Sequence, residues 1–163
     1  MPVARDIAAS YLGPGAVVGA KLARGPREDR SLAFLMGACA LIFVAQWPRL
    51  AREAHLADSD LNAALGGALM GWIFVAPLFF YALAAASQIV LHLLGRRIDG
   101  AAARLALFWA LLASAPMALL NGLAAGFIGP GPALNLTGLV WLGVFVWFWL
   151  AGLRAARIRE QAA

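Results

Sequence analysis

Residues 61–95 form an uninterrupted apolar run that limits what this chain can fold into. The run contains no formally charged side chain and is bounded by Asp60 and Arg96. A transmembrane helix needs ~20 predominantly apolar residues to cross ~30 Å of hydrocarbon, and an uncharged stretch of ~18 or more is a candidate span. The run therefore predicts membrane insertion, either as one long helix or as two short spans folded back at Pro77.

The composition of the whole chain agrees with a membrane location. Hydrophobic residues make up 63% of the 163 residues and charged residues 13%, whereas a soluble domain carries ~45–50% apolar and ~25% charged residues. This length leaves room for one membrane bundle and no separate soluble domain of normal size. The net charge of +5 comes from clusters beside apolar runs, so anionic lipid headgroups rather than nucleic acid are the expected partner.

Three further apolar runs accompany the first. Residues 31–47, 105–128 and 133–153 contain no Asp, Glu, Lys or Arg. Together with residues 61–95 they predict an all-α, polytopic membrane bundle of four transmembrane helices. Residues 154–163 are expected to form a short cytoplasmic tail.

The segments around the first span have helical patterns of their own. Within residues 1–30, apolar residues recur at helical spacing on both sides of a Gly-Pro-Gly break at residues 13–15. They predict short amphipathic helices lying flat on the bilayer, with a partly ordered tail as the alternative. Pro48 is expected to end or bend the first span, and residues 48–60 to form a surface helix that leads to N-cap chemistry at Asp58, Ser59 and Asp60.

The positions of the cationic residues decide between one span and two for residues 61–95. With four spans, eleven Lys and Arg residues lie on the side of the two chain ends, and only Arg49 and Arg52 lie opposite. With a hairpin at Pro77, five would lie inside and eight outside. Cytoplasmic loops carry the excess of Lys and Arg. We therefore expect four spans with both ends in the cytoplasm, kinked at Pro77 and Pro116.

The absence of ionisable carboxylates and cations from these runs limits the chemistry. Membrane enzymes and transporters usually carry such residues within their spans, where they are costly and functional. We therefore expect no catalytic residue, no cofactor and no metal site. The outer loop holds Glu53, His55, Asp58 and Asp60, but their spacing matches no recognised metal site, and solvated helix ends explain them.

A weak polar pattern remains within the spans. Tyr81, Gln88 and His92 are seven and four residues apart, so they share one face of a helix and could line a polar seam with Asn121. Such a seam would suit a passive channel or transporter for a small or lipophilic solute. The alternative is that Gln88 and Asn121 hydrogen-bond between helices while His92 lies at the cytoplasmic interface.

Two glycine pairs indicate close helix packing. Gly67 and Gly71 are one turn apart in the second span, as are Gly122 and Gly126 in the third. This spacing lets helix backbones approach closely. The leading functional hypothesis is therefore a non-enzymatic membrane protein that acts through helix-helix contacts, as a scaffold, an assembly factor or a membrane-organising factor, with an unidentified membrane partner or by self-association.

The order of these parts resembles the bacterial branch of the Yip family, the Ypt-interacting proteins. The resemblance covers roughly residues 15–155 and is carried by AQWPRLAREAH at the end of the first span, LHLLGRRIDG at the end of the second, and an aromatic last span. Its most typical positions are Trp47-Pro48, Leu94-Gly95, Pro116 and Gly122. The resemblance implies a polytopic bundle without enzymatic residues; eukaryotic members bind prenylated Rab-type GTPases in vesicle traffic.

The chain departs from the eukaryotic members of that family in its shorter N-terminal segment and in having four expected spans rather than five. Its twelve arginines beside a single lysine, together with heavy use of alanine, are typical of a GC-rich bacterium. The expected location is therefore a bacterial inner membrane.

Overall fold

The computed structural model describes residues 3–25, 27–95 and 98–161, the last three by their backbone alone. These residues are helical with short connections and form no strand. The six helices are α1 (Val3–Ser10), α2 (Pro14–Ala23), α3 (Glu28–Leu56), α4 (Leu61–Leu93), α5 (Gly100–Phe127) and α6 (Pro132–Gln161). Helices α3 to α6 are long and apolar enough to cross a membrane. The prediction of an all-α bundle with four candidate spans is confirmed.

Helix α5 is the centre of the bundle. Of its most apolar stretch, 72% is buried, compared with 39% in α3, 17% in α6 and 11% in α4. Every residue from 105 to 115 is buried, and many of them are alanines, whose small side chains let neighbouring helices approach closely. Helices α3 and α6 pack mainly against α5, whereas α4 packs against both α3 and α5, and α2 packs mainly against α6.

Helices α3 and α5 run in the same direction. Glu28 at the start of α3 pairs with Arg104 near the start of α5, and Pro48 lies against Gly126 near the two C-terminal ends. Gly152, near the end of α6, faces Ala106 in the first part of α5. The N-terminal and C-terminal parts of the chain thus share one end of the bundle, which we call the terminal end; the opposite one is the far end.

The uncharged run 61–95 forms one continuous helix over Leu61–Leu93, α4, and not a hairpin. The Asp60 side chain caps it by accepting a hydrogen bond from the Asn62 backbone N–H at 2.8 Å. Residues Gly71–Val75 are π-helical, directly before Pro77. Because proline has no N–H and its ring crowds the preceding turn, the regular α-helical bonding cannot continue there. The irregularity predicted at Pro77 therefore takes the form of a widened turn.

Two other prolines do not interrupt their helices. Helix α3 continues through Pro48 to Leu56, and α5 continues through Pro116. The prediction of a separate surface helix over residues 48–60 is therefore wrong, because residues 48–56 form the last part of α3. Packing of Pro48 against Gly126 offsets the hydrogen bond that the proline removes.

The N-terminal segment forms helices α1 and α2, with the predicted break between them. Their apolar faces, however, pack on the bundle. Val18 and Leu22 are each only 1% exposed, and Ser10 is fully buried, where its hydroxyl accepts a hydrogen bond from Trp109 Nε1 at 3.1 Å. The expectation that both helices rest on the bilayer surface is thus corrected, because α5 and α6 cover this face. Arg96 and Arg97 lie outside the described residues.

Candidate functional site

The predicted polar seam does not assemble. Asn121 donates hydrogen bonds to the Leu134 carbonyl at 3.1 Å and to Thr137 Oγ1 at 2.9 Å, both on α6. Tyr81 instead packs edge-on against Phe108, with 4.9 Å between the ring centroids. Phe108 precedes Asn121 by 13 residues, which is ~20 Å along a helix. Asn121 therefore joins α5 to α6 by hydrogen bonds. This agrees with the alternative interpretation, in which Asn121 bonds between helices.

The other two residues of the predicted seam lie toward the terminal end. Gln88 lies beside Gly100, at the start of α5, and His92 is exposed. Both are thus displaced from Asn121 in the same direction as Tyr81. No shared surface of the four residues results.

The two predicted glycine pairs have different surroundings. A methyl group added at Gly122 would overlap the Ala45 carbonyl, and one added at Gly126 would overlap Pro48. These glycines therefore let α3 and α5 approach more closely than any larger residue would. A methyl group at Gly67 or Gly71 would meet no other atom within 4 Å. This second pair has the same spacing but no packing role within the chain.

The acidic and histidine residues of the outer loop form no cluster. Glu53, His55, Asp58 and Asp60 are all exposed. Among the described residues, no three His, Cys, Asp or Glu side chains come together in a way that could hold a metal ion. Asp60 serves as the cap of α4, and Glu53 lies 3.7 Å from Arg49 Nε.

A cleft of about 600 Å³ opens between α3, α5 and α6 toward the far end of the bundle. We call it the polar cleft, because four of its lining residues carry polar side chains: Gln46, Arg49, Asn121 and Asn135. Trp141 also lines it, and its buried indole N–H has no hydrogen-bond acceptor. A buried donor without an acceptor is uncommon and costly. The donors available to a ligand in the cleft are therefore the side chains of Gln46, Arg49 and Asn135.

A second cleft of about 550 Å³ lies between α3 and α4. We call it the aromatic cleft, because Trp72, Phe79 and Phe80 line it. Gln46 and Arg49 line both clefts, so these two side chains stand between them. Each volume lies in the ~300–1,000 Å³ range typical of small-molecule sites.

Two arginines of α3 have different roles at these clefts. Arg52 Nη1 donates to the carbonyl oxygens of Gly126 at 3.2 Å and Phe127 at 3.5 Å, which the end of α5 leaves without helical partners. Within the described part of the chain, Arg49 makes only a long ion pair with Glu53, and its side chain is 47% exposed. Exposed pairs of this kind contribute little, so the Arg49 guanidinium retains donors for another group.

A partly buried ion pair that the sequence analysis did not identify lies toward the terminal end. Lys21 of α2 contacts Asp6 of α1, with 2.6 Å from Nζ to Oδ2. The same Nζ lies 3.8 Å from the centroid of the Trp109 ring, within the range of a cation–π interaction. The Lys21 ammonium donates to the Asp6 carboxylate and holds the pKa of Asp6 below its usual value.

Part of this pair was detectable in the sequence. Asp6 and Lys21 have opposite charges and flank the Gly-Pro-Gly break, where two helices can fold back on each other. The contact with Trp109 depends on how α1 and α2 pack on α5, and no local pattern specifies that.

Comparison with protein-family models, with curated proteins and with solved structures finds no match to this chain. The resemblance to the Yip family therefore stays a prediction. The helices and clefts of this chain are therefore the basis for inferring its function.

Proposed function

We propose that this chain is a non-enzymatic integral membrane protein that works through helix-helix contacts, as a scaffold or assembly factor. The contact surface is the face of α4 around Gly67 and Gly71, where Gly67 is exposed and Gly71 lies at the edge of the aromatic cleft. It receives a membrane helix of a second copy or of another membrane protein.

One observation supports this proposal. Of two glycine pairs with the same spacing, one has another helix packed against it and the other does not. Gly122 and Gly126 receive α3 within the chain, whereas Gly67 and Gly71 face open space. Helix α4 is also the least buried of the four candidate spans, at 11%. Within lipid, helices associate through close packing at small residues, so the second pair offers the kind of surface that the first pair already uses.

The proposed location is a bacterial inner membrane, with both chain ends in the cytoplasm. The support is the distribution of the described cationic residues, among which only Arg49 and Arg52 belong to the far end. A Yip-like role is part of the proposal and is supported by the order of the spans, the Gly-Pro turn and the aromatic last helix. Anionic headgroups at the cytoplasmic surface are the proposed lipid partners of the basic residues.

The proposal is tested by replacing both α4 glycines with leucine and measuring the mass of the complex in mild detergent and in nanodiscs. We expect the wild-type protein to purify as a self-oligomer or with a defined membrane partner. Gly67→Leu with Gly71→Leu should weaken that assembly about tenfold, which is ~1.4 kcal/mol, because the leucines keep the partner helix at a distance. Neither site has a neighbour within 4 Å, so the fold should persist.

Gly143→Leu is the matched control, because Gly143 in α6 also faces open space. It should leave the assembly unchanged. A wild-type protein that is monomeric in several detergents and in nanodiscs would refute the proposal. So would a double variant that assembles as well as the control.

The second candidate is a passive channel or transporter for a small or lipophilic solute. The observation that favours it is the polar cleft, which contains Asn121 and Gln46. Solute flux into liposomes that contain the purified protein, lost on Asn121→Leu, would support this function, and flux equal to that of empty liposomes would argue against it.

A further inference from the structure

The polar cleft and the aromatic cleft meet at the same two side chains, and this arrangement matches the shape of a two-chain lipid. Gln46 and Arg49 line both clefts. On either side the walls are mainly apolar, with leucines in the polar cleft and rings in the aromatic cleft. Gln46 and Arg49 of α3 thus form a polar centre between the two clefts, and Asn121 and Asn135 are further polar residues of the polar cleft.

The depth of Arg49 agrees with a headgroup position. It lies one helical turn before Arg52, whose guanidinium binds the terminal carbonyls of α5. Arginines near the end of a membrane span extend toward lipid phosphates. A position of Arg49 near the end of the α3–α5 pair suits contact with a phosphate.

The donors at this site are not matched by acceptors from the protein. Among the described residues, Arg49 has only the long contact to Glu53 at 3.7 Å, and Gln46 can donate from its amide. Such a site suits an anionic ligand with several acceptor oxygens.

The clefts are open to the side of the bundle and not only to its end. Leu139 and Leu142 of the polar cleft are 67% and 52% exposed, and Phe79 of the aromatic cleft is 61% exposed. These side chains belong to candidate spans, so they face the bilayer interior. A ligand with apolar chains can enter sideways from the membrane.

We propose that the polar and aromatic clefts bind one anionic phospholipid from the leaflet at the far end. Its phosphate contacts the Arg49 guanidinium and the Gln46 amide, and one acyl chain occupies each cleft on either side of α3. The lipid supplies the oxygen acceptors that the donors of the site lack.

The test is native mass spectrometry of the purified protein with added phosphatidylglycerol or phosphatidylcholine of the same chain length. We expect one phosphatidylglycerol to remain bound in preference to phosphatidylcholine. Arg49→Gln should reduce that preference about fivefold, the factor expected from one cationic side chain close to the membrane surface.

Arg27→Gln is the matched control, since it also removes one charge from an exposed ion pair. Arg27 contacts Asp29 at 3.3 Å and is 66% exposed, and it lines neither cleft. It should retain the wild-type preference. Equal losses in the Arg49 and Arg27 variants, or no preference for the anionic lipid in the wild type, would overturn the proposal.

Two further measurements test whether both acyl chains are bound and whether the ligand is a lipid or free phosphate. Lysophosphatidylglycerol has the same headgroup and one chain, so it should be retained less well; equal retention would contradict the use of both clefts. Inorganic phosphate at millimolar concentration should not displace the lipid. Displacement by phosphate, or a bound protein in place of the lipid, would also contradict the proposal.

Discussion

The Asp6–Lys21 pair shows how a charged contact is kept within an apolar structure. Lys21 is only 6% exposed, and its ammonium is compensated by the Asp6 carboxylate and by the face of Trp109. Removing one partner leaves the other charge buried and uncompensated, which costs more than the pair contributes. The pair thus holds α1 and α2 together and against α5.

Asp6→Asn is expected to lower the free energy of unfolding by about 1–2 kcal/mol at neutral pH, because it removes a hydrogen bond between charged groups. Asp29→Asn is the control, since Asp29 belongs to an exposed pair with Arg27 and should change stability by less than ~0.5 kcal/mol. Thermal unfolding in detergent, followed by circular dichroism, measures both.

The pH dependence of this effect follows from the direction of the pKa shift. The pKa of Asp6 is lower in the folded protein than its ordinary value of 3.8. Its contribution is therefore present above that value and is lost as the pH falls through the folded pKa. The difference between wild type and Asp6→Asn should disappear at low pH, and a difference that grew on acidification would contradict this account.

At the scale of single helices, much of the structure could be predicted from the sequence. Uncharged runs of this length specify the four long helices because a helix satisfies all its backbone hydrogen bonds within one segment when no water is present. The glycine pairs were also found by spacing, but spacing does not say which pair has a partner. Gly122 has Ala45 against it and Gly67 has open space, a difference that depends on how the helices pack.

The contact at Gly122 predicts opposite effects of the same substitution at two positions. Gly122→Ala should destabilise the protein by about 1–3 kcal/mol, because the new methyl group overlaps the Ala45 carbonyl. Gly143→Ala meets open space and should be neutral or stabilising by up to ~1 kcal/mol, through the higher helix propensity of alanine. Chemical denaturation in detergent micelles compares them; equal effects would refute the close approach of α3 and α5.

The candidate site was less predictable than the helices. The sequence placed Tyr81, Gln88 and His92 on one face, but a shared face on α4 does not specify which residue of α5 lies opposite. Tyr81 packs on Phe108, and Asn121 bonds to Thr137. Both clefts instead depend on Gln46 and Arg49 of α3, where the sequence shows only the polar end of a span.

At the scale of the whole molecule, the parallel α3 and α5 fit a chain that crosses the bilayer four times. The pair Glu28–Arg104 joins the starts of these helices, so the connection between them, α4, must return to the same end. Helix α6 returns once more and brings the C-terminal part back to α2, where Gly152 faces Val18. The excess of cationic residues at this terminal end is the basis of the proposed cytoplasmic position.

The most direct test of the four-span account is the location of the two chain ends in intact cells. Reporter tags that distinguish cytoplasm from the opposite compartment are fused to the N-terminus and, separately, to the C-terminus. We expect both tags to report from the cytoplasm. Tags that report from opposite compartments would contradict the four-span arrangement, and both tags outside would contradict its orientation.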